Sequence, residues 1–200
     1  MPDLTLRVLP PSHPCKTIEA ALHLKGLDFE LVTLTAGPHN EEMERVYGEG
    51  NRTVHGLLVD GEPVHGSRAI PERLAQIAPE PALYPDPIAD AVREAERWGD
   101  EELQDLGRRM PWGALHFRPE AMGSFAGSGA LAAEGVVGGE SATAADLQIG
   151  ATLRVLLTIG DLRPLIEGRP AERVARSWFP DYAGDVPAGA FPAGWVRAAA

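Results

Sequence analysis

The sequence contains a single cysteine, Cys15, and no apolar run that approaches the roughly 20 residues of a membrane-spanning helix. One cysteine excludes an internal disulfide and an internal dithiol redox pair. Basic residues are also scarce, because 18 Lys and Arg stand against 29 Asp and Glu and give a formal net charge of −11. Nucleic acids and anionic membranes bind through clustered cations, so we expect neither as a partner.

Signals for export and for metal binding are missing as well. The N-terminal apolar stretch at residues 4–9 is short and lacks the small-residue cleavage site of a signal peptide, so we expect a cytoplasmic protein. The histidines His23, His39, His65 and His116 do not have the spacing typical of metal ligands. The sequence therefore predicts no metal.

The first 78 residues have the pattern of a compact α/β domain. Apolar runs predict strands at residues 4–9, 28–35, 53–60 and 62–65, the last two joined by an Asp60-Gly61 hairpin turn. Helical periodicity predicts a helix that starts near Pro14 and ends at Gly26, a short helix at 40–47, and a third helix from Ser67, its N-cap, to residue 78. A strand, a helix and a second strand imply parallel pairing of the first two strands.

The second half of the chain is predicted to be helical. Four prolines within residues 79–87 (PEPALYPDP) exclude a helix or a central strand, so this segment is read as a linker between a domain at 1–78 and a domain at 88–200. Helices are predicted at 88–110 and 143–162. The second is apolar nearly all round, which is typical of a buried central helix, and Thr143 with Asp146 resembles a capping box. The glycine-rich segment 123–139 is left unassigned, and the tail at 178–195 is expected to cover the helices.

Three motifs in order carry a resemblance to a known family. They are SHPC at residues 12–15, VDGEPV with GSRAI at residues 59–70, and TAAD at residues 143–146. Together with an α/β half, a proline-rich linker and a helical half, this order resembles bacterial glutathione transferases. The resemblance covers most of the chain. It implies an α/β thioredoxin-like N-terminal domain followed by an all-α helical-bundle C-terminal domain.

The resemblance also implies a binding site, two substrates and an oligomeric state. Ser12 stands where the family places its thiol-activating serine or cysteine, and a hydroxyl there can stabilise a bound thiolate, although Ser12 is also a possible N-cap. Ser67 stands where the family binds the γ-glutamyl carboxylate, next to helix N–H groups that attract anions. We expect glutathione or a related small thiol, an apolar electrophile and a homodimer.

The sequence departs from the family pattern at two positions. Val54 is followed by His55 where the family has a cis-proline, whose neighbouring backbone binds the cysteinyl part of glutathione. A non-proline cis bond costs about 3–4 kcal/mol, so we expect a trans bond and a reshaped wall of the site. His55 then either fills part of the site or adds a polar contact. Gly66 precedes Ser67 where the family keeps an acidic residue or Gln.

Cys15 and His13 each have two interpretations. At the start of a helix, beside His13 and Lys16, Cys15 could have a lowered pKa and act as a nucleophile. However, Cys15, Ile18 and Leu22 are spaced as one apolar stripe, which favours a buried packing role. His13 could supply positive charge near a thiolate, or it could be a solvated loop residue.

Three functions follow from these residues. The first is a transferase, of the kind used in detoxification, that binds a thiol between Ser12, Val54 and Ser67. The second is a binding or scaffold protein that has kept the fold and lost thiol affinity. The third is a monothiol glutaredoxin-like reductase, which requires an exposed Cys15. An apolar pocket for the electrophile could be lined by Trp98, Trp112, Phe117 and Tyr182, whereas the acidic runs 41–42 and 100–102 are expected to be solvated helix faces.

Overall fold

The structure is a computed structural model that describes residues 1–9, 12–117, 140–179 and 184–196. An α/β part is followed by a helical part. The elements in chain order are β1 (Leu4–Val8), α1 (His13–Leu24), β2 (Glu30–Thr33), α2 (His39–Tyr47), β3 (Gly56–Val59), β4 (Glu62–His65), α3 (Ala69–Ile77), α4 (Ala89–Trp98), a π-helical turn (Gly99–Leu103), α5 (Gln104–Phe117), α6 (Ala144–Leu156), a 3₁₀ turn (Arg163–Leu165) and α7 (Pro170–Trp178).

The sheet has four strands in the order β2-β1-β3-β4. Strands β1 and β2 are parallel, as the strand–helix–strand pattern predicts, and β3 runs antiparallel to both β1 and β4. In β1 the apolar side chains Leu4, Leu6 and Val8 are buried and alternate with half-buried neighbours. The predicted order of strands and helices is thus confirmed, with β2 shorter than the predicted 28–35.

Helix α1 lies between the sheet and the helical part. Its apolar stripe, Ile18 and Leu22, is fully buried. On its other side, the Thr17 hydroxyl donates a hydrogen bond to the carbonyl of Leu147 in α6, at 3.3 Å. The two halves therefore share one core along α1, and this contact joins α6 to the α/β part.

Residues 78–88 connect the halves without helix or strand. The buried Lys25 ammonium donates to the carbonyls of Ala78, Pro79 and Pro81, at 2.6, 3.2 and 2.6 Å. A cation at the C-terminal end of α3 is stabilised by carbonyls that the helix leaves free. The division into domains at residues 78 and 88 remains a prediction.

The helical part begins with an almost continuous helical run. The predicted helix at 88–110 is observed as α4, the π-helical turn and α5, which continues through Pro111 to Phe117. The predicted glycine-rich segment 123–139 lies outside the described residues. None of the helices that the structure describes is long and apolar enough to cross a membrane.

Helix α6 is the central helix that the sequence predicts. Every residue from Ala144 to Leu156 is buried, and Thr143 and Asp146 form the predicted capping box. The prediction that this helix extends to residue 162 is wrong. The chain leaves the helix because Ile159 bridges to Val186 of the tail and the Gly160 N–H donates to the Val186 carbonyl, at 2.7 Å.

Candidate active site

Three connections of the α/β part meet at one edge of the sheet. Arg7 at the end of β1 pairs with Gly56 at the start of β3, and Gly56 pairs with His65 at the end of β4. The segments that follow β1, precede β3 and follow β4 therefore lie close together. They contain Ser12, His13, His55 and Ser67, and we call these residues the site edge.

Ser12 stands at the start of α1. Its carbonyl accepts the N–H groups of Cys15 and Lys16, at 3.1 and 3.3 Å, so by position it is the N-cap. Its half-buried hydroxyl makes no capping hydrogen bond and instead hydrogen-bonds the Cys15 thiol. The hydroxyl is thus free of the capping role that the sequence left open.

Cys15 is buried in the core on the same stripe as Ile18 and Leu22. Burial raises the pKa of its thiol to about 11, and the hydrogen bond from Ser12 offsets only part of that effect. At neutral pH the group is therefore a protonated thiol. This geometry fits the packing interpretation, and it lacks the exposed sulphur that a glutaredoxin-like reductase requires.

Neither interpretation of His13, as a solvated loop residue or as a positive charge near a thiolate, is correct. It is the first residue of α1 and only 5% exposed. The reason is the close approach of α5, where a Cβ added at Gly107 would lie 3.7 Å from His13 Nε2 and 2.3 Å from Thr152 Cγ2. Burial, with smaller contributions from Arg108 and His55, lowers the pKa of His13 to about 3. The imidazole is neutral and supplies no positive charge to a thiolate.

The Val54–His55 peptide bond is cis, so the expectation of a trans bond is wrong. The trans preference belongs to an isolated peptide, whereas His55 is only 1% exposed and Gly56 packs directly beneath the Tyr47 ring. The backbone keeps the form that the resemblance implies for a proline here. Burial, with a smaller contribution from His65, lowers the pKa of His55 to about 3.

Gly66 and Ser67 precede α3. The helix starts at Ala69 with Arg68 at its N-cap, so the prediction that Ser67 caps it is wrong. Gly66 has a φ of +106°, which favours glycine, and its carbonyl accepts the Ile70 N–H at 3.3 Å. This conformation explains why glycine stands where an acidic residue or Gln was expected. It leaves the Ser67 hydroxyl half-buried at the turn.

A polar network from the helical part reaches the site edge, and it is not among the residues predicted from the sequence. Gln104 of α5 is buried, and its Nε2 donates to Asp100 Oδ1 at 3.1 Å and to Ser67 Oγ at 3.5 Å. Its Oε1 accepts a hydrogen bond from Arg108. Arg68 pairs with Asp100 and Glu101, at 3.4 and 3.0 Å.

The interpretation of residues 100–102 as a solvated helix face holds for the exposed Glu101 and Glu102, whereas Asp100 is half-buried and faces Arg68 at the start of α3. The spacing of the polar residues along the sequence could have indicated this network. Residues 100, 104 and 108 recur every fourth position, which puts their side chains on one face of a helix.

The predicted aromatic pocket is described at one position only. Trp98 is half-buried and packs against the core. The side chains of Trp112 and Phe117, and residue Tyr182, lie outside the described part. In the described ranges, no three His, Cys, Asp or Glu side chains are grouped so that they could hold a metal ion.

A mixed four-stranded sheet with this topology, followed by helices, defines a thioredoxin-like domain with a helical C-terminal region. Residues 6–82 match the family model of the glutathione S-transferase N-terminal domain. Residues 6–82 therefore form a glutathione S-transferase N-terminal domain, as the resemblance predicts. No curated protein matches the sequence.

Solved structures share the fold over most of the chain. A GST-like protein from Pseudomonas syringae is 18% identical, with a TM-score of 0.65 over 94% of this chain and 70% of its own. A tau-class glutathione S-transferase from mango (Mangifera indica) is 16% identical, with a TM-score of 0.63 over 86% and 85%. A glutathione S-transferase from Methylobacterium radiotolerans, solved with glutathione sulfonate, is 23% identical, with a TM-score of 0.61 over 92% and 95%. At these identities the likeness confirms the fold.

Proposed function

We propose that this protein is a transferase that binds glutathione or a related small thiol at the site edge and conjugates it to an apolar electrophile. The observation that carries the proposal is the meeting of Ser12, Val54 and Ser67 at one edge of the sheet, which the register of β1, β3 and β4 brings about. Their order matches the three contacts that the family makes with glutathione. The N-terminal ends of α1 and α3 add N–H groups that favour negative charge there.

Ser12 is the proposed catalytic residue. Its hydroxyl is not engaged in capping α1 and can turn from the Cys15 sulphur to a ligand sulphur, because a serine hydroxyl rotates freely. The ligand thiol loses its proton to solvent, and the hydroxyl donates a hydrogen bond to the resulting thiolate. The thiolate then attacks the electrophilic carbon, a C–S bond forms, and the leaving group departs with its bonding electrons.

The experiment compares Ser12→Ala with Cys15→Ala. Ultraviolet absorbance of the glutathione thiolate is recorded as the wild-type protein and each variant are titrated with glutathione at neutral pH. We expect thiolate absorbance with the wild type and Cys15→Ala, and a clear loss with Ser12→Ala. Conjugation of a chloronitrobenzene should follow the same order. Equal absorbance in all three proteins would contradict the role of Ser12, and loss in Cys15→Ala alone would assign the role to Cys15.

The scaffold alternative is favoured by one observation. The Ser67 hydroxyl already contacts Gln104, and His55 is buried where the family has its proline, so both contact points are partly occupied by the chain itself. Binding of glutathione to His55→Pro but not to the wild type would support this alternative.

We also propose that the protein is a cytoplasmic homodimer, as the family resemblance implies. Sedimentation velocity at micromolar concentration tests the oligomeric state, and a monomer would contradict the proposal.

A further inference from the structure

Arg108 differs from most arginines that the structure describes. The chain is acidic overall, and its arginines are generally paired with Asp or Glu. Those with a carboxylate partner include Arg7, Arg45, Arg52, Arg68, Arg93, Arg97, Arg109, Arg163 and Arg176. Arg108 has no carboxylate within ion-pair distance among the described residues. Its one hydrogen bond there goes to the neutral Gln104 amide.

The position of Arg108 points its charge toward the site edge. Gln104 holds the guanidinium through its Oε1 while its Nε2 reaches Ser67 Oγ, at 3.5 Å. Arg108 also acts electrostatically on His13, the residue that follows Ser12. The exposed guanidinium is thus connected to Ser67 through Gln104, and its charge acts on the residue that follows Ser12.

A second observation comes from the buried histidines beside it. His13 Nε2 has no hydrogen-bond partner among the described residues, although the side chain is only 5% exposed. Buried polar atoms are nearly always paired, because an unpaired one costs the desolvation of that group. A neutral imidazole that carries its proton on Nε2 is a donor, and this atom faces α5 close to Gly107, the residue before Arg108.

We propose that Arg108, held by Gln104, binds a carboxylate of a ligand at the site edge. An arginine fork matches the two oxygens of a carboxylate. The inference rests on the proposed function for the position of the ligand. The carboxylate belongs either to the thiol, at the glycyl end of glutathione, or to the electrophile, which would then be an anionic compound and not a wholly apolar one.

The test uses two pairs of probes that differ only in a carboxylate. The first pair is glutathione and its glycyl ethyl ester, and the second is 4-nitrobenzoate and its methyl ester. Affinities are measured by ligand-detected NMR for the wild type, Arg108→Met and the matched control Arg109→Met. Arg109 is exposed, lies next to Arg108 in sequence and pairs with Asp105, at 2.7 Å. Thermal unfolding of each variant verifies the fold.

We expect the wild type to prefer the free acid of one pair by about tenfold or more, the effect of a charge-assisted hydrogen bond. Arg108→Met should abolish this preference and Arg109→Met should keep it. Preference within the glutathione pair assigns the carboxylate to the thiol, and preference within the nitrobenzoate pair assigns it to the electrophile. A preference that persists in Arg108→Met, or a wild type that prefers neither acid, overturns the proposal.

The two proposals fail in different ways. If glutathione does not bind but 4-nitrobenzoate binds through Arg108, the thiol-transferase proposal fails and the carboxylate site stands. If glutathione and its ester bind equally well to every protein and neither nitrobenzoate probe depends on Arg108, the transferase proposal survives and the carboxylate site is rejected.

Discussion

The first turn of α6 and the site edge differ in whether their buried polar groups are hydrogen-bonded. At α6, the Asp146 carboxylate accepts the Thr143 N–H and hydroxyl, both at 2.8 Å, and the Thr143 hydroxyl accepts the Asp146 N–H at 3.2 Å. At the site edge, Nε2 of His13 and both ring nitrogens of His55 make no hydrogen bond of good geometry among the described residues, although the Gly66 backbone lies near enough to His55 to oppose the lowering of its pKa. A paired turn stabilises the fold, whereas unpaired groups cost stability and are retained where a ligand can use them.

The largest effect is expected when the paired turn is broken. In Asp146→Ala, the buried Thr143 N–H and hydroxyl lose their acceptor, so the free energy of unfolding should fall by about 3 kcal/mol. Urea unfolding measures this change. Ser67→Ala is the contrasting variant at the site edge and should change stability by less than about 0.5 kcal/mol. Equal losses of unfolding free energy in both variants would contradict the difference between the first turn of α6 and the site edge.

The contact between α5, α6 and the site edge depends on Gly107. A Cβ there would lie 2.3 Å from Thr152 Cγ2, so Gly107→Ala should destabilise the protein by about 1–3 kcal/mol. Thr152→Ser removes that methyl group and keeps the hydroxyl, which bonds the Gln148 carbonyl at 3.3 Å. We expect the double variant Gly107→Ala/Thr152→Ser to recover most of the loss in thermal unfolding. If the double variant recovers no stability, the clash with the Thr152 methyl group is not the cause of the loss.

The unpaired histidines predict sensitivity to acid. Burial lowers the pKa of His13 and His55 from 6.5 to about 3, so below pH 6.5 the folded state binds fewer protons than the unfolded state. The free energy of unfolding should therefore fall as the pH drops from about 6.5 toward 3. His55→Gln should flatten this dependence in urea unfolding, whereas His23→Gln, at an exposed histidine, should leave it unchanged. A wild-type stability that does not vary over this range would contradict the lowered values.

The smallest effect is expected at Glu96 of α4, outside both regions. Burial raises the pKa of its carboxyl from 4.5 to about 8, although the Tyr84 hydroxyl donates to it at 3.0 Å. The folded state holds this proton more tightly, so the contribution is full below pH 4.5 and is lost as the pH rises through 8. Glu96→Gln should remove this loss, measured by thermal unfolding between pH 5 and 8.5. The exposed Glu94→Gln serves as its control, and identical profiles would contradict the raised pKa.

The sequence predicted the elements whose pattern is local. The alternation in β1, the Asp60-Gly61 hairpin turn and the capping box before α6 each depend on residues close together in the chain, and each is observed. The helix that continues past Pro111 and the early end of α6 were missed. The end of α6 depends on pairing with Val186, which lies far along the chain.

The site was predicted less completely, because burial and cross-domain contacts decide it. Ser12 and Ser67 came from the family resemblance, and the register of the sheet brings their turns to the same edge. The burial of His13 follows from the approach of α5 at Gly107, and no local pattern records that approach. Gln104 and Arg108 were missed because their partners lie in the other half of the chain.

The proposed function requires the site edge to be a working thiol site. Calorimetric titration with reduced glutathione tests it most directly, on the wild type, Ser67→Ala and the control Ser177→Ala, whose hydroxyl bonds the Arg173 carbonyl in α7 at 2.7 Å. We expect micromolar to low-millimolar binding that is lost in Ser67→Ala and kept in Ser177→Ala. No detectable binding to the wild type, or equal binding to all three proteins, would contradict it.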